Sequence, residues 1–160
     1  MVRRGRFVFP LLMMMTTTTV MLMAAWLFCP GSPAGAEAMW NVTSGADDPS
    51  NPALGTLRYT VLHASPGDSI RFTGAGTTVV LADQITIDRT LTLKGPATIR
   101  QGAVNKRVLE VSATCTMNNI TITGGNFSNP GYWTAGLKGA GIYNRTAGIL
   151  TMNSCTVTGN

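Results

Sequence analysis

Seven carboxylates, Glu37, Asp47, Asp48, Asp68, Asp83, Asp88 and Glu110, are the side chains best suited to acid–base or metal chemistry in this sequence. Hydrolysis of a glycosidic bond needs two carboxylates facing one sugar linkage. A polysaccharide lyase sets a basic residue beside a carboxylate cluster, often with calcium held through several oxygens. No two of the seven stand at i, i+2, the spacing that would present both on one face of a strand. Asp47-Asp48 lies in a loop of Pro, Ser and Asn and is expected as a solvated turn. Asp68, after Pro66-Gly67, is expected in turn chemistry, and Asp88 at a turn position equivalent to that of Asn118 and Asn153. His63, the sole histidine, falls near the end of a helical segment, where a helix-terminal or half-buried role is expected. No serine or cysteine has a basic partner at hand in sequence to activate it. The expectation is no catalytic residue, no metal and no cofactor within this chain.

Residues suited to binding are of a different kind. Tyr132 and Trp133 stand in a Gly/Asn/Ser-rich stretch, 125–138, which reads as a loop insertion and makes them the expected ligand contacts. Packing of that loop by its own Trp133 is the structural alternative. Arg89, Lys94, Arg100, Lys106 and Arg107 scatter over expected turns without forming the basic stripe that nucleic acid requires. Asn41, Asn119, Asn126 and Asn144 head N-x-S/T tripeptides, which chance supplies in so Asn- and Thr-rich a chain.

The segment that precedes all of these has its own signature. Arg3, Arg4 and Arg6 lead an apolar run from Phe7 to Phe28, followed by Pro30, Gly31, Ser32 and Pro33 and by small residues ending in Ala34-Gly35-Ala36 and Ala36-Glu37-Ala38. A basic start, an apolar middle and an A-x-A end read as a signal peptide over residues 1–36, cleaved after Ala36 or Ala38. An uncleaved anchor is the alternative, since the run is long enough to span a bilayer. Bulky Phe28 argues against lipid modification of Cys29. Removing 1–36 takes three of the twelve basic residues and none of the seven acidic ones, so the net charge falls from +5 to +2. The basic balance of the whole chain therefore gives no argument for nucleic acid or an anionic membrane. Cys115 and Cys155 remain, in a compartment where a disulfide could persist. Two cysteines do not make a disulfide scaffold.

The elements that must position these residues show two periods. Asn51 as cap and Pro52 at the first position, with Leu54, Leu57, Val61 and Leu62 at helical spacing, predict a short helix over about 52–64, stopped by Pro66-Gly67. It belongs to an N-terminal cap over 37–68. From 69 to 160 the period becomes two: Ile70/Phe72, Val79/Leu81, Ile85/Ile87, Leu91/Leu93, Val108 to Val111, Cys115 to Met117, Ile120 to Ile122 and Cys155 to Val157 read as strands of three to five residues between turn residues.

An internal repeat selects among all-β folds. Residues 115–124 align without gaps on 150–159, with identities Thr116/Thr151, Met117/Met152, Asn118/Asn153, Thr121/Thr156, Thr123/Thr158 and Gly124/Gly159. A looser copy lies at 86–95. Stacked copies would put Met117 on Met152 and Ile122 on Val157 in a core column, with Asn118 and Asn153 as a structural turn ladder. Cys115 and Cys155 align on Leu150 and Ile120 and are expected as core residues, with a disulfide not favoured. Sandwich strands have no reason to repeat residues at the same turn, whereas the coils of a solenoid do.

The stretch Gly55-Thr-Leu-Arg-Tyr-Thr-Val-Leu-His-Ala with Pro66-Gly-Asp-Ser-Ile-Arg-Phe72 resembles the opening of bacterial right-handed parallel β-helix repeat proteins. Gly139-Ala-Gly-Ile-Tyr-Asn144 and Cys155-Thr-Val-Thr-Gly-Asn160 resemble their recurrent coil motifs, and are similar to the repeats of polymorphic outer-membrane, adhesin-like surface proteins. The likeness runs from about Asn41 to the last residue. It implies an all-β, right-handed parallel β-helix behind a capping helix, exported to the outer membrane, cell surface or medium. It also implies a non-enzymatic, adhesin-like binding or structural passenger. The expected partner is a surface glycan or a host or neighbouring cell, with no nucleic acid, and with membrane contact only through the signal or anchor. Because the sequence stops on a coil motif, it reads as C-terminally truncated: an uncapped coil would expose unpaired backbone groups. The alternative function is the N-terminal fragment of a polysaccharide lyase or glycoside hydrolase whose catalytic coils lie further on. A third reading is a spacer that holds a distal domain away from the cell.

Overall fold

A computed structural model describes residues 37–126 and 139–160. The signal read over 1–36, with Cys29, and the loop residues Tyr132 and Trp133 lie outside the described residues. The elements in chain order are β1 (Met39–Val42), α1 (Leu57–His63), β2 (Ser69–Phe72), β3 (Thr78–Leu81), β4 (Ile85–Ile87), β5 (Leu91–Gln101), β6 (Leu109–Val111), β7 (Thr114–Thr123), β8 (Ile142–Asn144), β9 (Ile149–Asn153) and β10 (Thr156–Val157). Strands dominate, with one α-helix among the described residues, so the fold is all-β in leaning. Every pairing between these strands is parallel.

The strands form a seven-stranded sheet, ordered β1-β2-β5-β7-β10 with β3 also on β5 and β9 also on β7, and a three-stranded sheet, β4-β6-β8. Alternation drives this. Residues of one parity, such as Ile70, Leu93 and Met117 in one row and Ile99 and Ile122 in another, are fully buried, while their neighbours face out. Ile85, Ile87, Leu109 and Val111 of the smaller sheet join the same core as the larger sheet's leucines and isoleucines. Each such side chain contributes roughly 1.5–3 kcal/mol by leaving water.

Several boundaries differ from the sequence expectation. The helix starts at Leu57, not near Pro52, and its cap is Thr56, whose hydroxyl accepts from the Tyr59 amide. The Asp48 carboxylate takes the amides of Ser50 and Asn51, which turns the chain there, and Gly55 has φ +83°. Both hold this stretch away from helical geometry. Met39–Val42, read as part of the cap without a strand, is β1, paired on β2. The runs at 91–101 and 115–123 are not separate short strands, because β5 and β7 continue through their bends. At that bend Gly95 and Pro96 stand opposite the single residue Asn119, a bulge that turns the strand without ending it. Lys94 and Arg100 are accordingly strand residues and not turn residues. Asp88 does not share a position with Asn118: it follows β4 in the smaller sheet, and the residue paired with Asn118 is Lys94.

Candidate functional site

The outer face of the larger sheet is a set of in-register columns. Ser69, Thr92, Thr116 and Thr151 form one. Thr78, Thr98, Thr121 and Thr156 form another. Adjacent members sit one strand spacing apart, about 4.8 Å, so hydroxyls line up along the stacking direction. Arg71, Lys94, Asn118 and Asn153 make the column at the bend, where Asn153 Nδ2 donates to Asn118 Oδ1 at 2.9 Å. The two residues that follow them, Asn119 and Ser154, share a left-handed backbone, φ +55° and +53°.

A second group of polar residues joins α1 to the segment around β4. Arg58, on the helix, makes a two-toothed pair with Asp47 at 2.7 Å through Nε and Nη2. It also donates to the carbonyls of Asp83 at 2.7 Å and Gln84 at 3.1 Å. The Asp47 side chain is 1% exposed and also accepts from the Ala82 amide. The expected solvated Asp47-Asp48 turn is therefore corrected: Asp48 caps a turn at the surface, whereas Asp47 is a buried ion-pair partner. Arg89, just past β4, reaches back to the carbonyls of Leu62 and Ala64 at the end of α1, at 3.3 and 3.0 Å. Its Nε holds Asp88 at 2.8 Å. That contact lowers the Asp88 pKa despite an opposing contribution from burial, and raises that of Arg89.

A third group lies on the smaller sheet, where Thr86, Glu110 and Tyr143 form one column. Glu110 is buried beneath its partners, with Arg107 Nη1 at 2.8 Å, Arg145 Nε at 2.6 Å and Gln84 Nε2 at 3.5 Å. The Arg107 guanidinium lies 4.6 Å from the centre of the Tyr143 ring, a cation–π contact. Lys106 pairs with Asp83 at 3.0 Å. Burial alone would raise the Asp83 carboxyl, but the hydrogen bond and charge of Lys106 and the Gln84 amide bring it below its ordinary value.

The remaining singled-out residues have structural positions. Asp68 is buried and accepts from the Ala38 amide, the Trp40 indole and the Ser65 amide, each at 2.8 Å. Burial works to raise its pKa, and these donors lower it overall. His63 is exposed in the last turn of α1, stacked on Tyr59 with ring centres 4.0 Å apart. Cys115 is fully buried, which pushes its thiol up to about 12 and makes it a poor nucleophile. Cys155 is half-buried, hydrogen-bonded through sulfur to the carbonyls of Met117 and Asn153. Both thiols are free. Asn126, at the start of the 125–138 stretch, bridges to Lys106.

Sequence reasoning did not find the Asp47–Arg58 pair, which links residues eleven apart across a loop. The Glu110 group left a faint signal: a carboxylate between Leu109 and Val111, three residues after an arginine. Six of the seven carboxylates are engaged by a cation or by backbone or indole N–H donors, so what this surface offers is hydroxyl, amide and paired-charge hydrogen bonding. No protein-family model, no curated protein and no solved structure matches this chain.

Proposed function

We propose that this chain is an exported, non-enzymatic surface protein, adhesin-like, whose body is a right-handed parallel β-helix displaying flat polar columns to an extended polymer such as a surface glycan. The observation that carries this reading is the register: Thr116 on Thr151, Asn118 on Asn153 and Thr121 on Thr156, like on like. Two features support a helical winding. From β3 to β9 successive strands fall alternately in the larger and smaller sheets. Pairing partners from β2 to β7 lie a similar distance apart in sequence, 23 residues from Ser69 to Thr92, 20 from Thr78 to Thr98 and 24 from Leu91 to Cys115, lengthening to 35 from Cys115 to Leu150, where the stretch 125–138 intervenes. Right-handedness follows the general rule for parallel crossovers. A repeated row of hydroxyls binds a repeating chain by many weak hydrogen bonds, which suits retention without chemistry. The basic start, apolar run and A-x-A sites of residues 1–36 support export.

The test is an array of plant, bacterial and animal glycan polymers probed with the full chain and with a Thr116→Val/Thr121→Val/Thr151→Val variant. Retention on a defined polymer class, lost in the variant at unchanged melting temperature, supports the reading. Equal retention by both, or none by either, overturns it. Sequencing the N-terminus of the exported product checks cleavage after Ala36 or Ala38.

A further inference from the structure

A cleft of about 250 Å³ lies between the last turn of α1 and the outer side of β4, lined by Arg58, Leu62, Gln84, Thr86, Asp88 and Arg89 among others. Its two sides are fastened together from both directions: Arg58 crosses from the helix to the carbonyls before β4, and Arg89 crosses from beyond β4 to the carbonyls that end the helix. A cleft clamped at both ends does not have to be ordered when a ligand enters, so the ordering cost of binding is small.

The charges in it decide the ligand class. Each guanidinium is neutralised by its own aspartate, Arg58 by Asp47 and Arg89 by Asp88. Each spends four of its five N–H donors within the protein. An anion would find little net charge and few open donors. What remains available is the second lone pair on each oxygen of Asp88, whose side chain is 57% exposed although both oxygens accept from Arg89, the exposed Thr86 hydroxyl, and the Gln84 amide, whose bond to Glu110 is at the 3.5 Å limit. Opposite them Leu62 is 54% exposed and presents an apolar patch. Polar acceptors facing an apolar patch match a ring that carries hydroxyls at its rim and C–H groups on its face. The volume falls below the roughly 300–1,000 Å³ of pockets for drug-sized ligands, which limits the fit to one ring.

We infer that this cleft is a binding subsite for a single neutral hexose unit, seated with its C–H face on Leu62 and its hydroxyls on Asp88, Thr86 and Gln84. The inference rests on the surface-binding reading and adds to it a terminal or branching sugar held at the smaller sheet, on a different sheet from the polar columns.

Saturation-transfer NMR of the full chain with galactose, glucose and mannose as probes, and with glucuronate and inorganic phosphate as charged controls, tests it. The expected result is transfer to at least one neutral hexose with millimolar affinity. Asp88→Ala should weaken it about tenfold, as the loss of a hydrogen bond to a charged acceptor does, and Thr86→Trp, which fills the cleft from an exposed position, should abolish it. Melting temperatures of both variants report folding independently. No transfer to any hexose, transfer to glucuronate or phosphate instead, or hexose binding unchanged in Thr86→Trp each overturns the subsite. Polymer retention on the array without a hexose signal leaves the surface-binding reading standing and removes the subsite. A hexose signal without polymer retention does the reverse.

Discussion

At the scale of single residues, two aspartates make the strongest demands on the fold. Asp47 is buried against Arg58 and the Ala82 amide, and removing one member of a buried pair leaves the other charged and uncompensated. Asp47→Ala should therefore cost about 3–5 kcal/mol. Urea unfolding of Asp47→Ala, Arg58→Ala and the double variant checks this: a double variant costing far less than the two singles together is the expected coupling. Asp68 has a different signature because its donors lower its pKa on folding. A folded-state pKa below the unfolded one stabilises the protein above the ordinary carboxylate value of 3.8, and that stability is lost as pH falls through the folded-state value. Unfolding free energies of wild type and Asp68→Asn, measured from pH 7 to pH 2, should accordingly converge toward the acid end. A gap independent of pH would show that packing, not charge, is what Asp68 supplies. The turn at Asp68 was legible in Pro66-Gly67, but neither its bonds to Ala38 and Trp40 nor the burial of Asp47 was. Asp47 and Asp68 both stand among Pro, Gly, Ser and Asn, where solvated turns are the ordinary outcome; apart from the Ser65 amide, which closes a local turn on Asp68, their partners come from residues 11 to 35 positions away.

At the scale of elements, the bend between the two halves of β5 and β7 carries the most information. Asn119 and its counterpart Ser154 both have positive φ, a conformation that costs an L-residue roughly 1–2 kcal/mol. Asparagine tolerates it better than serine does. Ser154→Gly should relieve that cost, offset in part by the greater freedom of glycine in the unfolded chain, for a net gain of up to about 1 kcal/mol. Asn119→Val should lose about 1–2 kcal/mol. Thermal melts of the two variants check both signs, and a stabilised Asn119→Val would refute the backbone argument. The opposite residue, Gly95, has no room for a Cβ, which would overlap the Asn119 carbonyl. Period-two alternation was enough to locate most strands. It could not show that the short runs join through these bends, since a bulge of Gly95 and Pro96 opposite one residue looks in sequence like the end of a strand. The helix start was misread for a related reason: Asn51-Pro52 carries a capping signature, but Asp48 and Gly55 commit that segment to turns.

At the scale of the whole molecule, the repeat between 115–124 and 150–159 was itself the pairing register, because identical residues stack on one another when strands lie parallel and in line. The smaller sheet was not legible in the same way. Three-residue strands such as β6 and β8 hold too little pattern to declare a partner. Layered pairing has an energetic consequence. β5 and β7 are paired on both sides and carry fully buried residues such as Leu93, Ile99, Met117 and Ile122. β9 and β10 pair with β7 among the described residues, and their side chains are half-buried or exposed, Met152 and Leu150 included. If stability is a sum of layers and nearest-neighbour contacts, a truncation should be felt locally at the weak layer and widely at the strong one. Met152→Ala should speed amide exchange in β9 and β10 while leaving β2 and β5 protected. Leu93→Ala, which opens a cavity in the middle of the stack at a cost of about 2–5 kcal/mol, should raise exchange across β2, β5 and β7 together. Hydrogen–deuterium exchange resolved by peptide separates the outcomes. Equal loss of protection everywhere in both variants would mean that the sheets open as one cooperative unit, and that the stacked register determines geometry without dividing stability into layers.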